Sequence, residues 1–275
     1  MITVPAHTRL LGVDFSSAPS PRKPITVAEG QRVGSVLRLL RVRALPRMDG
    51  FEALLAEPGP WLGAFDFPFG LPRPFVLAQG LGDHAEAVVR AVHARCATRM
   101  QFRALVDAWG HTQPPGQRLV HRHCDTALPG VSSTSPLQTR YVPVGFMYYE
   151  GFSRLVKAGV HLPALHEGDP TRTALEGYPG LLAHELIGRR SYKNDESSER
   201  LLARKDIVEA LEQGRTRLGL RLKLTPAQAG ELVADASGDR LDAVLCLVQA
   251  AWGQGRPRLG LPAQVDPVEG WILTA

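Results

Sequence analysis

The chain has 275 residues, of which 44% are hydrophobic and 21% charged, a composition typical of a soluble globular protein. No apolar run reaches the roughly 18 residues that a membrane-spanning helix needs, and residues 1–10 do not have the pattern of a signal peptide, so we predict no membrane partner and a cytoplasmic location. The formal charge of +5 permits an anionic partner such as a nucleic acid, and three scattered cysteines argue against a disulfide framework.

The first part of the chain predicts three strands joined as an antiparallel meander. Residues 9–16, 25–29 and 33–45 are rich in apolar and β-branched side chains. A proline-rich loop at 17–24 and a turn at Glu29-Gly30-Gln31 separate them. Connections this short favour antiparallel pairing of neighbouring strands.

The second part alternates strands and helices around a long insertion. A helix at about 49–57 precedes an apolar strand that ends at Asp66, and a strand at 172–176 leads into a helix at 179–187. Between them, residues of about 73–170 combine helical spacing with irregular stretches and predict an insertion. The remaining predicted elements are helices at 196–213, after Thr225 and at 239–253, and a short edge strand at 269–273. This order predicts one α/β domain over 1–275 with a sheet of mixed direction.

Four carboxylates stand at or near the boundaries of short apolar runs. Asp14 closes the first strand, Asp66 closes the strand after the meander, Glu176 closes the strand after the insertion, and Asp242 lies near the start of the last long helix. Holding a carboxylate near a core without a partner costs several kcal/mol. Because strand ends gather ligand sites in such sheets, we predict a shared divalent cation, Mg²⁺ or Mn²⁺.

Each of these carboxylates also has a structural explanation. Asp14 could accept hydrogen bonds from the Ser16 and Ser17 amides as a turn residue, and Asp66 could form a similar turn before Phe-Pro. Glu176 could only interact with the dipole of the helix that follows it. For each of these carboxylates, the explanation as a metal ligand and the structural explanation both remain open at this point.

Asp242 has an alternative that involves its neighbour Asp239. If Asp239 caps the last long helix, Asp242 occupies the third helical position and the two form a capping-box arrangement. The two carboxylates are three residues apart and can also project the same way, with Asp239 assisting Asp242 as a metal ligand.

Seven short motifs are spread along nearly the whole chain. They are Gly12-Val13-Asp14-Phe15-Ser16-Ser17, Phe65-Asp66-Phe67-Pro68-Phe69-Gly70-Leu71-Pro72, Arg122-His123-Cys124-Asp125, Glu176-Gly177-Tyr178-Pro179, Ser191-Tyr192-Lys193, Asp239-Arg240-Leu241-Asp242-Ala243 and Glu269-Gly270-Trp271-Ile272. In this order they resemble the domain of unknown function 429, a family of predicted ribonuclease H-like nucleases.

The resemblance implies a ribonuclease H-like fold. Its five-stranded mixed sheet would consist of an antiparallel meander plus two parallel strands, with helices on both faces. It also implies a metal-binding carboxylate cluster and nuclease activity. In this interpretation Asp14, Asp66, Glu176 and Asp242 are catalytic and hold Mg²⁺ or Mn²⁺ together with Asp239. Weaker candidates for substrate binding are Ser16, Arg122, Asp125, Arg140 and Lys193, several of which could hold phosphate oxygens.

The leading hypothesis is therefore metal-dependent hydrolysis of phosphodiesters in a nucleic acid. One alternative is a nucleotide-binding phosphotransferase or ATPase of related fold, in which the polar loop after Asp14 binds phosphate, although the chain lacks a Gly-x-x-x-x-Gly-Lys loop. Another is a nucleic-acid-binding protein that has kept the fold without catalysis.

Overall fold

A seven-stranded sheet of mixed direction forms the centre of the computed structural model, which describes residues 8–128 and 133–275. The strands, in chain order, are β1 Arg9–Asp14, β2 Ile25–Val33, β3 Val36–Leu45, β4 Trp61–Asp66, β5 Val160–His161, β6 Asp169–Glu176 and β7 Arg221–Lys223. Their order across the sheet is β5-β6-β4-β1-β2-β3-β7. The prediction of five strands is wrong, because the two-residue β5 and the three-residue β7 extend the sheet at its edges.

Strand pairing follows the predicted meander and then changes direction. β2 is antiparallel to both β1 and β3, whereas β4 is parallel to both β1 and β6. The turn predicted at Glu29-Gly30-Gln31 is wrong. β2 continues through this segment with a bulge between Glu29 and Gly30, and the chain turns at 34–35. The predicted edge strand at 269–273 is also wrong, since only Ile272 bridges the sheet, beside Glu176.

Helices cover the sheet in two layers. In chain order they are α1 Met48–Ala56, α2 Arg73–Gln79, α3 Ala85–Arg95, α4 Arg99–His111, α5 Val144–Met147, α6 Ser153–Lys157, α7 Pro179–Ile187, α8 Ser198–Gln213, α9 Pro226–Ala234 and α10 Asp239–Gln254. Alternate side chains of β1 enter different cores, with Leu11 and Val13 packing among α1 to α6 and Leu10 among α7 to α10. Burial on both faces explains why β1 and β4 are almost continuously apolar between their end residues.

The predicted insertion supplies most of the first layer. Residues 73–157 contain α2 to α6, and a π-helical turn, Tyr148–Phe152, joins α5 to α6. Buried side chains of these helices, such as Phe75, Phe102 and Phe152, belong to the same core as the strand residue Phe65.

The α10 helix packs directly on β1. Residues 241–251 of this helix are buried, and a Cβ atom at Gly12 would overlap the carbonyl oxygen of Ala243 and the amide nitrogen of Leu247. The lack of a side chain at Gly12 therefore lets the helix backbone rest on the strand backbone. The contact brings the first turn of α10 beside the carboxyl end of β1.

No helix in residues 8–128 and 133–275 combines the length and apolarity that crossing a bilayer requires.

We expect Gly12→Ala to lower the free energy of unfolding by more than about 2 kcal/mol, because the added methyl group overpacks a backbone-to-backbone contact. Urea unfolding followed by circular dichroism would measure the change. Gly230→Ala is the matched control, because a Cβ at Gly230 within α9 meets no atom within 4 Å. This control should raise stability by about 0.5–1 kcal/mol. Equal effects of the two substitutions would contradict the assigned contact.

Candidate metal centre

Three of the four predicted carboxylates converge. Asp14 ends β1, Asp66 ends β4 and Asp242 lies in the first turn of α10, and each offers a carboxylate oxygen within 4.8 Å of the others. The parallel register of β1 and β4 pairs Asp14 with Asp66 directly. The contact of α10 with Gly12 then brings Asp242 to the same edge of the sheet. In the part of the chain that the structure describes, these three residues form the group with metal-ligand spacing.

Electrostatic repulsion is strong in this group. Burial raises the pKa of Asp14 well above its usual range, and the charges of Asp66 and Asp239 raise it further. Burial also raises the pKa of Asp66 to about 6, against the opposing charge of Lys193. Both carboxylates are therefore costly to ionise while no cation lies beside them, and a bound cation would relieve that cost.

The carboxylates of Asp14 and Asp66 accept no hydrogen bond from residues 8–128 or 133–275, and both side chains are partly exposed. The turn explanations for these residues are therefore not supported. The local turn is instead stabilised by Ser16, whose hydroxyl oxygen accepts a hydrogen bond from the Ala18 amide at 3.4 Å. Ser16 thus has a structural contact, and its predicted contact with substrate stays a prediction.

Asp242 lies in the first turn of α10 and is not part of a capping box. Gly238, with a φ of 81°, is the N-cap of α10, and the Asp242 amide donates to the Gly238 carbonyl at 2.9 Å. The Asp242 side chain accepts a hydrogen bond from the Tyr192 hydroxyl at 2.6 Å, so the explanation by capping is wrong. Asp239 lies outside the three-carboxylate group, but its charge acts on Asp14.

Lys193 supplies a positive charge to the group. Its ammonium nitrogen pairs with the second carboxylate oxygen of Asp242, and its charge also acts on Asp14 and Asp66. Three carboxylates at −1 and one ammonium at +1 leave a formal charge of −2, which one divalent cation balances. All the donors are carboxylate oxygens, which are the ligands that Mg²⁺ and Mn²⁺ prefer, so the residues present fit such an ion.

Glu176 has a different partner. Arg122 donates to its two carboxylate oxygens at 2.5 and 2.8 Å, and the Phe69 amide donates to it at 2.8 Å. These contacts account for the Glu176 carboxylate without an interaction with the α7 dipole. The charge of Glu176 is close enough to raise the pKa of Asp66. The carboxylate oxygens of Glu176 accept hydrogen bonds from Arg122 and lie outside the three-carboxylate group.

Arg122 is the centre of a buried charge network. Only 1% of its surface is exposed, and it pairs with Asp125 at 2.8 Å as well as with Glu176. Its remaining contact is with the Glu269 carbonyl oxygen at 3.0 Å, so every guanidinium nitrogen is hydrogen-bonded to the protein. Arg122 and Asp125, which we predicted as weaker candidates for substrate binding, are therefore paired with each other inside the protein.

Glu269 is a member of this network to which the sequence analysis assigned no role. Its carboxylate accepts hydrogen bonds from the backbone amides of Arg73 and His123, both at 2.8 Å. It thereby ties the start of α2 to the segment before Asp125. Its place in the motif Glu269-Gly270-Trp271-Ile272 was the signal that could have identified it.

Arg140 does not line the cavity beside Asp66. Its guanidinium pairs with Asp107 at 2.5 Å on the surface, beside a separate cavity that His111 also lines. The predicted role of Arg140 in substrate binding has no geometric support.

A cavity of about 190 Å³ opens beside Asp66, one of the three carboxylates. Asp66, Glu176 and Lys193 are among its charged lining residues, and most of its wall is apolar. The cavity and the metal centre therefore share Asp66 and Lys193, and a molecule in the cavity would lie next to a cation held by the carboxylates.

Comparison of the chain with models of protein families, with curated proteins and with solved structures finds no match.

Without divalent cations, we expect the free energy of unfolding to fall as pH rises through about 6. The pKa of Asp66 is about 6 in the folded protein against an ordinary value of 3.8, so folding is favoured while the group stays protonated and this contribution is lost on ionisation. Mn²⁺ should raise the melting temperature more at pH 7.5 than at pH 5, because the Asp66 carboxylate is ionised at the higher pH and can bind the cation there. Scanning calorimetry with Mn²⁺ or with EDTA would test this, and an equal shift at both pH values would contradict it.

We expect Arg122→Met to lower the free energy of unfolding by about 3–5 kcal/mol, because it leaves the buried carboxylates of Asp125 and Glu176 without their partner. Arg140→Met is the matched control, since it removes an exposed ion pair that contributes no more than about 1 kcal/mol. Chemical unfolding of the two variants would measure both changes. A loss below about 1 kcal/mol in Arg122→Met would show that the network contributes little to stability.

Proposed function

We propose that this chain is a metal-dependent phosphodiesterase that hydrolyses nucleic acid, with Asp14, Asp66 and Asp242 as the ligands of Mg²⁺ or Mn²⁺. The main support is the convergence within 4.8 Å of carboxylates from two parallel strands and a helix. The motifs that resemble predicted ribonuclease H-like nucleases, and a meander followed by parallel strands, agree with this proposal.

Hydrolysis of a phosphodiester consumes one water molecule. The water oxygen bonds to phosphorus, the bond from phosphorus to the leaving sugar oxygen breaks, and the leaving oxygen takes up a proton. Negative charge develops on the entering and leaving oxygens in the transition state. A divalent cation, when bound, supplies positive charge that stabilises this developing negative charge.

The protein's own residues contribute position and charge. Asp14 and Asp66 are partly exposed, and their carboxylates accept no hydrogen bond from residues 8–128 or 133–275, so their oxygens are available to a cation. Tyr192 donates to Asp242 and fixes the orientation of its carboxylate. In metal centres, such outer contacts typically change metal affinity or activity by about 10- to 100-fold.

Lys193 is the residue of this site best suited to hold a phosphoryl oxygen. Its side chain is 34% exposed, lines the cavity and carries a mobile ammonium group. A cation among the carboxylates would weaken the hold of Asp242 on this ammonium group. Lys193 could then donate to the substrate, as the sequence analysis predicted.

We expect Asp14→Asn, Asp66→Asn and Asp242→Asn each to lower Mn²⁺-dependent cleavage of oligonucleotides by more than about 100-fold, because each removes a ligand charge. Asp107→Asn, which alters only an exposed ion pair with Arg140, should retain full activity. Gel assays with single strands, duplexes and RNA–DNA hybrids would measure cleavage.

Stability separates this loss of activity from unfolding. Ionisation of the buried Asp66 carboxylate costs free energy when no cation is bound. In EDTA and above a pH of about 6, Asp66→Asn should therefore be more stable than the unchanged protein, although this variant is inactive. Full cleavage by Asp14→Asn, or no cleavage of any nucleic acid by the unchanged protein, would refute the proposal.

A further inference from the structure

The cavity beside Asp66 has walls of unusual composition for a site that would bind only a phosphate backbone. Phe67, Pro68, Val144, Met147 and Ile272 contribute apolar side chains to it. A sugar hydroxyl that is buried against such walls without a hydrogen-bond partner costs about 1–3 kcal/mol. A flat, largely apolar ring loses much less on burial and gains from leaving water.

Two backbone amides at the cavity already donate hydrogen bonds within the protein. The Gly177 amide donates to the Phe65 carbonyl at 2.8 Å, and the Tyr178 amide donates to the Gln249 side chain at 3.0 Å. The lining also includes the polar side chains of Ser133, Thr134 and Tyr178. The wall therefore combines apolar contact, which every nucleobase can provide, with groups able to form hydrogen bonds.

The volume of the cavity restricts its occupant to one ring system. About 190 Å³ is less than the roughly 300 Å³ at which sites for drug-sized ligands begin. A stacked base pair is too large, and a base within a duplex would first have to unpair and swing out at a cost of a few kcal/mol.

We propose that this cavity receives the unpaired base of a nucleotide next to the scissile phosphodiester, so that the substrate is a single strand or an unpaired segment and not an intact duplex. The inference rests on the proposed phosphodiesterase function. Its structural basis is that two residues of the cavity wall also belong to the candidate metal centre. Asp66 is one of the three carboxylates, and Lys193 is paired with another of them, Asp242. A base in the cavity therefore lies beside the site of hydrolysis.

Cleavage of three substrates of one sequence would test the inference. They are a single strand, the same strand with one abasic nucleotide, and a blunt duplex, each with Mn²⁺. We expect the single strand to be cleaved at least about tenfold faster than the duplex, and the abasic position to lose about tenfold, as the loss of one base contact implies. Equal cleavage of all three would leave the phosphodiesterase function intact and overturn the base-binding cavity.

Binding gives a second test that does not depend on cleavage. A single strand that contains 2-aminopurine would be titrated by fluorescence, with Ca²⁺ in place of Mn²⁺ to suppress turnover. Val142 lines the cavity and is 61% exposed, so Val142→Trp can fill the cavity mouth without disturbing the core. Tyr141→Trp is the control, because Tyr141 is 98% exposed and lines a different cavity.

Affinity for the 2-aminopurine strand should fall about tenfold in Val142→Trp and stay unchanged in Tyr141→Trp. Equal affinities in both variants and in the unchanged protein would overturn the inference. If no nucleic acid is cleaved, the proposed function fails, and this titration alone decides whether the cavity binds a base. If Val142→Trp blocks a simple aryl phosphodiester but leaves the 2-aminopurine titration unchanged, the cavity binds an apolar group of another kind and the nucleobase assignment is wrong.

Discussion

The direct packing of α10 on β1 at Gly12 is the constraint on which the candidate metal centre depends. At this point two backbones touch, so no rotation of a side chain can change their separation. Because α10 is buried over almost its whole length, it cannot move away without exposing much of one core. The hydrophobic core thereby holds the Asp242 carboxylate beside those of Asp14 and Asp66, although the three repel one another.

Two groups of buried charge lie side by side at this edge of the sheet, and they differ in how completely they are paired. Around Arg122, the carboxylates of Asp125 and Glu176 accept hydrogen bonds, and every guanidinium nitrogen donates at least one. Around Asp242, one lysine faces three carboxylates. A fully paired group stabilises one conformation, whereas an incompletely paired one gains free energy when a cation binds. Position at a strand end is therefore insufficient to make Glu176 a ligand.

The sequence predicted the residues whose positions follow from regular structure. Asp14 and Asp66 end parallel neighbouring strands, and their apolar runs were clear. Asp242 stayed ambiguous because the start of α10 depends on Gly238 and its left-handed backbone, which no apolar pattern reveals. The partner of Glu176 could not be predicted, since Arg122 comes from an irregular segment 54 residues earlier. The edge strands β5 and β7 were missed because two or three residues carry no periodic signal.

Lys193 connects the metal centre to the cavity through a single ion pair. The Asp242 carboxylate is paired with the ammonium of Lys193. In the proposed function, a divalent cation would compete for this carboxylate, and an anionic group at the cavity would compete for the ammonium. A cation and a phosphate would thus each take one member of the same pair and release the other member. Linkage requires that two ligands related in this way raise each other's affinity by the same factor. The arrangement therefore favours joint binding of cation and phosphodiester over binding of either one alone.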